Sequence, residues 1–445
     1  MSLSITLLMV ILILVALLLL GVPLPFCFGG AIMFMNVFAD VSMAGMMMWD
    51  FNQMINLTLL SCPLFIYAGT LLSYSGVANA LLDFVDIFIG KIRGGLGVVS
   101  VVACAIIGAI SGSGFTGIAA TGPIMIPRMV EKGYPRGYAT ALVTVSSILG
   151  LLIPPSVMMI MFGWITQTSI LACFLSTVGP GILITILFSI INIISVRRMP
   201  SVTEGKVTFE KMPSNITIDD PEQNKIKRFI KAIPALTVPF IILGGIYGGI
   251  FTPTEAAAVA AAVTIPIGVW FYKGLTIRSF LKSTRDTAIS VGAIMTMMAF
   301  TLILSQTLVM LRAPQLFVDL VFKVTDNYFL ILIFINIILF ITGMIVNDIT
   351  GILLLAPLLL PLVQAMGMNP IQLAAIMGTN LAMGGVTPPY ASILYLGMRV
   401  GNCEFADILK PTMIFLLLGY VPVVFLTTYW APLSMWLPTV LGYVK

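Results

Sequence analysis

The chain has 445 residues, of which 59% are hydrophobic and only 9% charged, with a mean hydropathy of +1.11. A soluble globule carries about 25% charged residues, so this composition excludes a water-soluble enzyme and describes a multi-pass membrane protein. Histidine is absent, which removes the commonest general base and metal ligand, and the net charge of +5 belongs to cytoplasmic loops rather than to a nucleic-acid surface.

From the N-terminus, Leu3 to Leu20 is apolar, with neither a basic leader region nor an Ala-x-Ala cleavage site, and reads as a retained membrane helix. Runs of about 20 apolar residues predict crossings over 3–38, bent at Pro23 and Pro25, and over 54–78, 136–166, 170–196, 230–247, 254–272, 287–312, 370–398 and 404–430. Two further segments, 95–131 and 329–365, are apolar at both ends and interrupted in the middle by polar and glycine residues.

The basic residues fall into three clusters. They are Lys91, Arg93, Arg128, Lys132 and Arg136; the loop 197–231, with eight Lys/Arg against five acids; and Lys273, Arg278, Lys282 and Arg285. The connections near 167–169, 248–253 and 366–369 carry no charge. The positive-inside bias makes the clusters cytoplasmic and the uncharged gaps external. The stretch 275–286 reads as an interfacial helix on the cytoplasmic face, and 197–231 as a tether between two halves or a regulatory binding site. The five cysteines form no Cys-x-x-Cys pair and read as small buried thiols.

A shift of 234 residues superposes two parts of the chain. Thr116, Gly117 and Ile118 fall on Thr350, Gly351 and Ile352; Pro123 and Pro127 on Pro357 and Pro361; Gly133 on Gly367; Ala141 on Ala375. Gly150, Pro154, Pro155 and Gly163 fall on Gly384, Pro388, Pro389 and Gly397. Eight of these eleven identities are Gly or Pro. Shared lipid-facing composition would match Leu with Ile, not backbone-special residues in register. Five predicted crossings separate the two interrupted segments, an odd number, so the copies have opposite orientations. Inverted repeats with broken helices mark a secondary transporter with its site near the bilayer midplane.

The interruptions read S-G-S-G-F-T-G from Ser111 and I-V-N-D-I-T-G from Ile345, with partner breaks at Gly150–Ser156 and Gly384–Tyr390. Backbone groups leaving a helix inside hydrocarbon cost several kcal/mol each unless satisfied. Each proline lacks an amide proton and frees a carbonyl about a turn earlier. Freed carbonyls facing a hydroxyl form a hard oxygen cage, which predicts one sodium site per repeat. The first comprises Ser111, Ser113, Gly150, Ile153 and Pro155; the second Ile345, Asn347, Gly384, Thr387 and Pro389.

Asp348 lies in mid-membrane sequence and can hold a hydrogen-bonding substrate, a proton or a cation. Arg312 follows an uncharged segment, 287–311, and suits either a substrate carboxylate or a snorkelling helix end. Glu255, after Thr252-Pro253-Thr254, reads as a helix-start acid. Without histidine or a paired midplane acid, an intramembrane enzyme is not expected.

The Ser111–Gly117 tip, the following A-A-T-G-P-I-M-I-P, the L-G-L-L-I-P-P-S break and the G-G-V-T-P-P-Y counterpart resemble the large membrane subunit of tripartite ATP-independent periplasmic (TRAP) transporters, from Gly21-Val22-Pro23 to Pro411. The resemblance implies an all-α polytopic protein of the bacterial inner membrane, with inverted repeats, two re-entrant hairpins and two broken helices working as an elevator. It implies sodium-driven import, with two or more ions and no organic cofactor. The solute is an acidic organic molecule, sialic acid or a C4-dicarboxylate, handed over by a periplasmic binding protein. The expected partners are that protein, a small four-helix membrane subunit on a separate chain, and membrane lipid. Ser113, Arg312 and Asp348 would lie near the solute. Residues 1–94 and 167–328 would be scaffold, 95–166 and 329–400 the moving repeats, and 401–445 a further scaffold helix. A proton-coupled or uncoupled organic-anion permease of the same architecture is the alternative.

Overall fold

The computed structural model describes residues 3–39, 41–89, 92–199, 202, 225–388 and 391–444, and every regular element among them is helical. Nine helical segments among them are long and apolar enough to cross a membrane.

The bent span expected over 3–38 is instead two shorter apolar helices. Helix α1 (Leu3–Leu19) and α2 (Leu24–Phe38) fold back on one another, so that a Cβ on Gly30 would stand 2.8 Å from Leu17 Cδ1. Pro25 falls in the first turn of α2, where its missing N–H costs nothing; the prolines start a helix instead of bending one. A short α3 (Met43–Met54) leads to α4 (Leu57–Ser75) and, across Gly76 at φ +84°, to α5 (Val77–Ile89).

Next come α6 (Gly95–Ser111) and α7 (Gly114–Glu131), which pack together as a hairpin. A broken helix follows, made of α8 (Arg136–Ser147), α9 (Leu149–Leu152) and α10 (Val157–Thr166), and then α11 (Ile170–Arg197). Most of the hydrophilic loop, 203–224, lies outside the described residues.

The second half starts with α12 (Lys225–Tyr247) and α13 (Pro253–Pro266), the latter ending in a π-helical turn, Ile267–Phe271. Thr252 and Glu255 close a reciprocal cap on α13, the structural role read from the sequence. Helix α14 (Ile277–Met310) has 34 residues and is about 51 Å long, against about 30 Å of hydrocarbon. The stretch 275–286 is therefore not a separate interfacial helix. It forms the first turns of α14 and docks on α4, with Tyr67 Oη 3.0 Å from Thr284 Oγ1 and Tyr74 Oη donating to Asp286 at 2.8 Å.

After α15 (Ala313–Val324) comes a second hairpin, α16 (Tyr328–Ile345) and α17 (Asp348–Ala365). A second broken helix, α18 (Pro370–Gly384) and α19 (Ser392–Gly401), precedes α20 (Phe405–Phe415), a π-turn at Leu416–Tyr420, α21 (Val421–Tyr429) and α22 (Pro432–Val440).

Packing repeats with the sequence. Helix α10 lies on α17 and, reciprocally, α19 lies on α7; α6 lies on α8 as α16 lies on α18. Gly133 and Gly367, which close the two hairpins, both take positive φ, +88° and +72°. So do Gln167 and Asn402, which end α10 and α19, at +55° and +48°.

Three helices expected in the scaffold, α11, α20 and α21, pack with the hairpins and broken helices. Helix α11 lies on α6, α9, α10 and α18, and its Asn192 accepts from Tyr138 Oη (3.2 Å) and donates to the Gly94 carbonyl (2.8 Å). Helix α20 lies on α8 and α21 on α18. Thr428 of α21 donates to Asn336 Oδ1 of α16 at 3.1 Å, and Asn380 of α18 donates to the same oxygen at 2.8 Å. Buried side-chain bonds of this kind hold membrane helices together. Among the described residues, no hydrogen bond or ion pair joins α1–α4 and α12–α14 to α6–α11 and α16–α22. Among the described residues, the ion pairs that bridge them run through α5. Its Asp83 meets Arg128 of α7 (3.5 Å) and Arg228 of α12 (3.9 Å), and its Asp86 meets Arg228 at 2.9 Å. Burial raises the Asp83 carboxyl above its ordinary pKa, and the two arginines oppose that rise.

Candidate functional site

Each hairpin tip is pressed into the break of its own broken helix through glycine. A Cβ on Gly108 of α6 would stand 2.2 Å from the Gly150 Cα. In the other repeat, a Cβ on Gly384 would stand 2.2 Å from the carbonyl carbon of Gly343 and 2.4 Å from its oxygen. Only glycine permits backbones so close. Gly108 and Gly343 carried no separate signal in the sequence, since a glycine within an apolar helix also fits lipid-facing packing.

The structure brings Ser111, Ser113, Gly150 and Pro155 of the first predicted set together. Ser111 Oγ donates to the Ser113 carbonyl at 3.4 Å, and that carbonyl lies against Gly150, 3.0 Å from where its Cβ would be. The Pro155 carbonyl faces Gly112 of the tip, 2.8 Å from its would-be Cβ. Gly112 turns the chain at φ +61° and its carbonyl accepts from Val157 N–H at 3.4 Å. Pro154 cannot donate to the Gly150 carbonyl, while Ser156 Oγ takes up the Leu151 carbonyl at 2.6 Å. The side chain of Ile153 instead lies against Gly181 of α11.

Of the second predicted set, Gly384 and Thr387 lie together at the break, while Ile345 and Asn347 lie at the ends of α16 and α17. Thr387 Oγ1 donates to the Met383 carbonyl at 2.8 Å, which leaves its lone pairs for a cation. The Gly384 carbonyl accepts Thr387 N–H at 3.0 Å. Asn347 works locally: Oδ1 caps α17 at Thr350 N–H (2.9 Å), and its carbonyl accepts from Gly351. Ile345 is the last residue of α16, with an exposed side chain. Pro389 lies outside the described residues.

Four half-helices begin at these interruptions: α7, α10, α17 and α19. The residues before α7, α10 and α19 (Ser113, Ser156 and Ala391) make no side-chain cap. Val157 N–H and Ile393 N–H donate to the Gly112 and Gly385 carbonyls, and the helix dipoles still place positive potential at these starts. Ile393, in the first turn of α19, touches both Gly114 at the first tip and Gly385 at the second break, so the two repeats meet there. Such N-termini suit an anionic group, and the freed carbonyls beside them suit a small cation.

Asp348 opens α17 and is half-buried; Ser113 is half-buried at the start of α7. Arg312 is exposed in the corner between α14 and α15, both of which pack on α17. It forms no ion pair with Asp348 or any other described residue. Its backbone is left-handed, φ +57°, at the place where the first repeat has Gly76 between α4 and α5. A non-glycine residue held there costs about 1–3 kcal/mol, and such strain gathers at functional sites. The sequence could not reveal this, because only the fold aligns Arg312 with Gly76. Gly69 of α4 was also missed: its Cβ would stand 2.4 Å from Ser111 Cβ, so α4 passes directly over the first tip.

Comparison with known proteins places this geometry in a family. The family model described as the DctM component of the tripartite ATP-independent periplasmic transporter matches residues 11–432. A C4-dicarboxylate TRAP transporter large permease protein of Vibrio cholerae is 32% identical, over 95% of each chain. A sialic acid TRAP transporter large permease protein of the same organism is 30% identical, over 79% of each chain. Among solved structures, the Alcanivorax borkumensis YdaH transporter shares the fold with a TM-score of 0.56 at 15% identity, over 87% of this chain and 88% of that one.

Proposed function

The chain belongs to the DctM family of tripartite ATP-independent periplasmic transporter components, and from that premise we propose that it imports an acidic organic solute by sodium-coupled elevator transport. It is a large permease subunit of a secondary transporter, a multi-pass membrane protein and not an enzyme. The solute is a C4-dicarboxylate or sialic acid, the named cargoes of its two relatives. A periplasmic binding protein delivers it, a small membrane subunit completes the complex, and the whole works in the bacterial inner membrane.

The observation that carries this reading is the reciprocal packing of two hairpins and two broken helices, each pair locked by a glycine–glycine contact. Ser113, Arg312 and Asp348 receive the solute, aided by the uncapped helix starts. Sodium sits in the two cages described above. Arg312 waits beside α17 with a free guanidinium suited to a carboxylate. The moving unit is α6–α11 with α16–α22, larger than the sequence suggested, because α11 and α21 are hydrogen-bonded into it. A largely apolar interface lets that unit slide against α1–α4 and α12–α14, with α5 and α15 as connecting arms. Two sodium ions crossing about 100 mV release roughly 4.6 kcal/mol from the potential; an anionic solute moving with them opposes part of that drive, so more than one sodium ion is needed.

Proteoliposome uptake of succinate and of sialic acid, with the binding protein and small subunit present, tests the proposal. One of the two should accumulate only under an inward sodium gradient. Equal uptake in potassium, or uptake that follows a proton gradient, would replace it with the uncoupled or proton-coupled alternative.

A further inference from the structure

Helix α3 carries a carboxylate that neither the solute site nor the cages use. With 12 residues it is about 18 Å long, too short to cross about 30 Å of hydrocarbon. It packs on α14 and α2, both among the helices that stay still during transport. It leads into α4, whose first residue, Leu57, accepts at its carbonyl from Thr254 Oγ1 at 3.0 Å. Thr254 follows the uncharged connection 248–253, so α3 runs towards the external face.

Asp50 lies on the packed side of this helix. It is 6% exposed, its Oδ1 is wholly buried without a hydrogen bond, and no ion pair with a described residue includes it. Met46, one turn earlier, is buried in a cluster with Phe28, Met35, Ile303 and Leu304. A carboxylate in such surroundings costs several kcal/mol unless it is paired. Other acids of the chain have partners: Asp83 and Asp86 meet arginines, Asp286 accepts from Tyr74, and Glu255 caps α13.

The outward side of α3 is apolar. Met47, Met48, Phe51 and Ile55 are exposed, Met48 at 66% and Phe51 at 63%. On α2, which touches α3, Met33 and Val37 are exposed as well. The lone acid therefore stands at the edge of an apolar corner, and methionine adapts its shape to a facing helix.

We propose that α3 and the end of α2 form the docking surface for the small membrane subunit, and that a basic side chain of that subunit pairs with Asp50. This rests on the reading of the chain as one part of a tripartite transporter. Lipid acyl chains cover an apolar corner equally well but bring no donor to a carboxylate, so charge complementarity selects a protein helix. Arginine suits the role, because it keeps its charge when desolvated and offers five donors. A subunit held on α2 and α3 leaves the moving unit free to slide.

The full chain and the small subunit are purified separately in detergent, and their dissociation constant is measured. Asp50→Asn and Asp50→Leu should each weaken binding by about 30-fold or more, as loss of one member of a buried charge pair does. The isolated Asp50→Leu chain should melt at or above the unmodified one, because it no longer buries a lone carboxylate. A residue that served folding alone would lower that midpoint. Each lysine and arginine of the small subunit is then replaced by glutamine in turn. One replacement should weaken binding as much as Asp50→Asn does and add little on top of it. An unmoved dissociation constant, a lower melting midpoint for Asp50→Leu, or no coupled basic residue would overturn the inference. So would an Asp50-dependent phosphatidylethanolamine adduct on the isolated chain by native mass spectrometry, which would assign the acid to a headgroup. Failure of the unmodified chain to bind the subunit at all would overturn the tripartite reading as well.

Discussion

Replacing Gly384 by alanine probes the contact on which the second repeat depends. The new Cβ would lie 2.2 Å from the carbonyl carbon of Gly343, 2.4 Å from its oxygen and 2.5 Å from its Cα. All three are backbone atoms, so no side chain can rotate away. Helices α16 and α18 would have to part by roughly 1 Å, and overpacking of this kind costs about 1–3 kcal/mol, with backbone clashes at the upper end. Gly292, inside α14, is the control, because a Cβ there meets nothing within 4 Å. Alanine at 292 should gain about 1 kcal/mol of helix propensity. The two variants should thus differ by about 2–4 kcal/mol in opposite directions. A thiol-reactive dye reporting exposure of the buried Cys62, Cys104 and Cys173 measures this as an unfolding midpoint in one detergent. Gly384→Ala should melt below the unmodified chain and Gly292→Ala at or above it. A Gly384→Ala protein that melts no lower and transports normally would show that the tip is not seated in the break.

Three other substitutions separate roles within the site. Asp348→Ala should abolish uptake while leaving the melting midpoint nearly unchanged, because its carboxylate holds no ion pair; uptake at the unmodified rate would remove it from the mechanism. Arg312→Gly should relieve a strained backbone, gaining about 1 kcal/mol of stability, and yet lose solute uptake. A variant that is more stable and fully active would reduce Arg312 to a helix-end residue. Thr387→Val should raise the sodium concentration needed for half-maximal uptake by about tenfold, the loss of one oxygen ligand worth roughly 1.4 kcal/mol, with little change in the solute concentration needed. An unmoved sodium titration would take Thr387 out of the cage.

Much of this was legible because backbone chemistry leaves marks in sequence. Glycine and proline at Gly150, Pro154, Gly384 and Pro388 recur in register, and both hairpins and both breaks lie where those residues put them. Elements that depend on tertiary contact were not legible. Asp83 and Asp86 interrupt the apolar pattern and hid α5, whose charges make sense only against Arg128 and Arg228. The N-terminal prolines suggested one bent span, since nothing local distinguishes a kink from the start of a new helix folding back. The place of α11 depends on Asn192 meeting Tyr138, and that of α21 on Thr428 and Asn380 meeting Asn336, across more than 40 residues of chain, which no pattern within a single helix reveals.

Side-specific labelling of the two hairpin roots tests the inverted arrangement most directly. Single cysteines at Lys132 and Gln364, in an otherwise cysteine-free chain, are exposed to a membrane-impermeant thiol reagent in intact cells and in inside-out vesicles. The account predicts that position 364 reacts only in cells and position 132 only in inside-out vesicles. Labelling of both from the same side would contradict it.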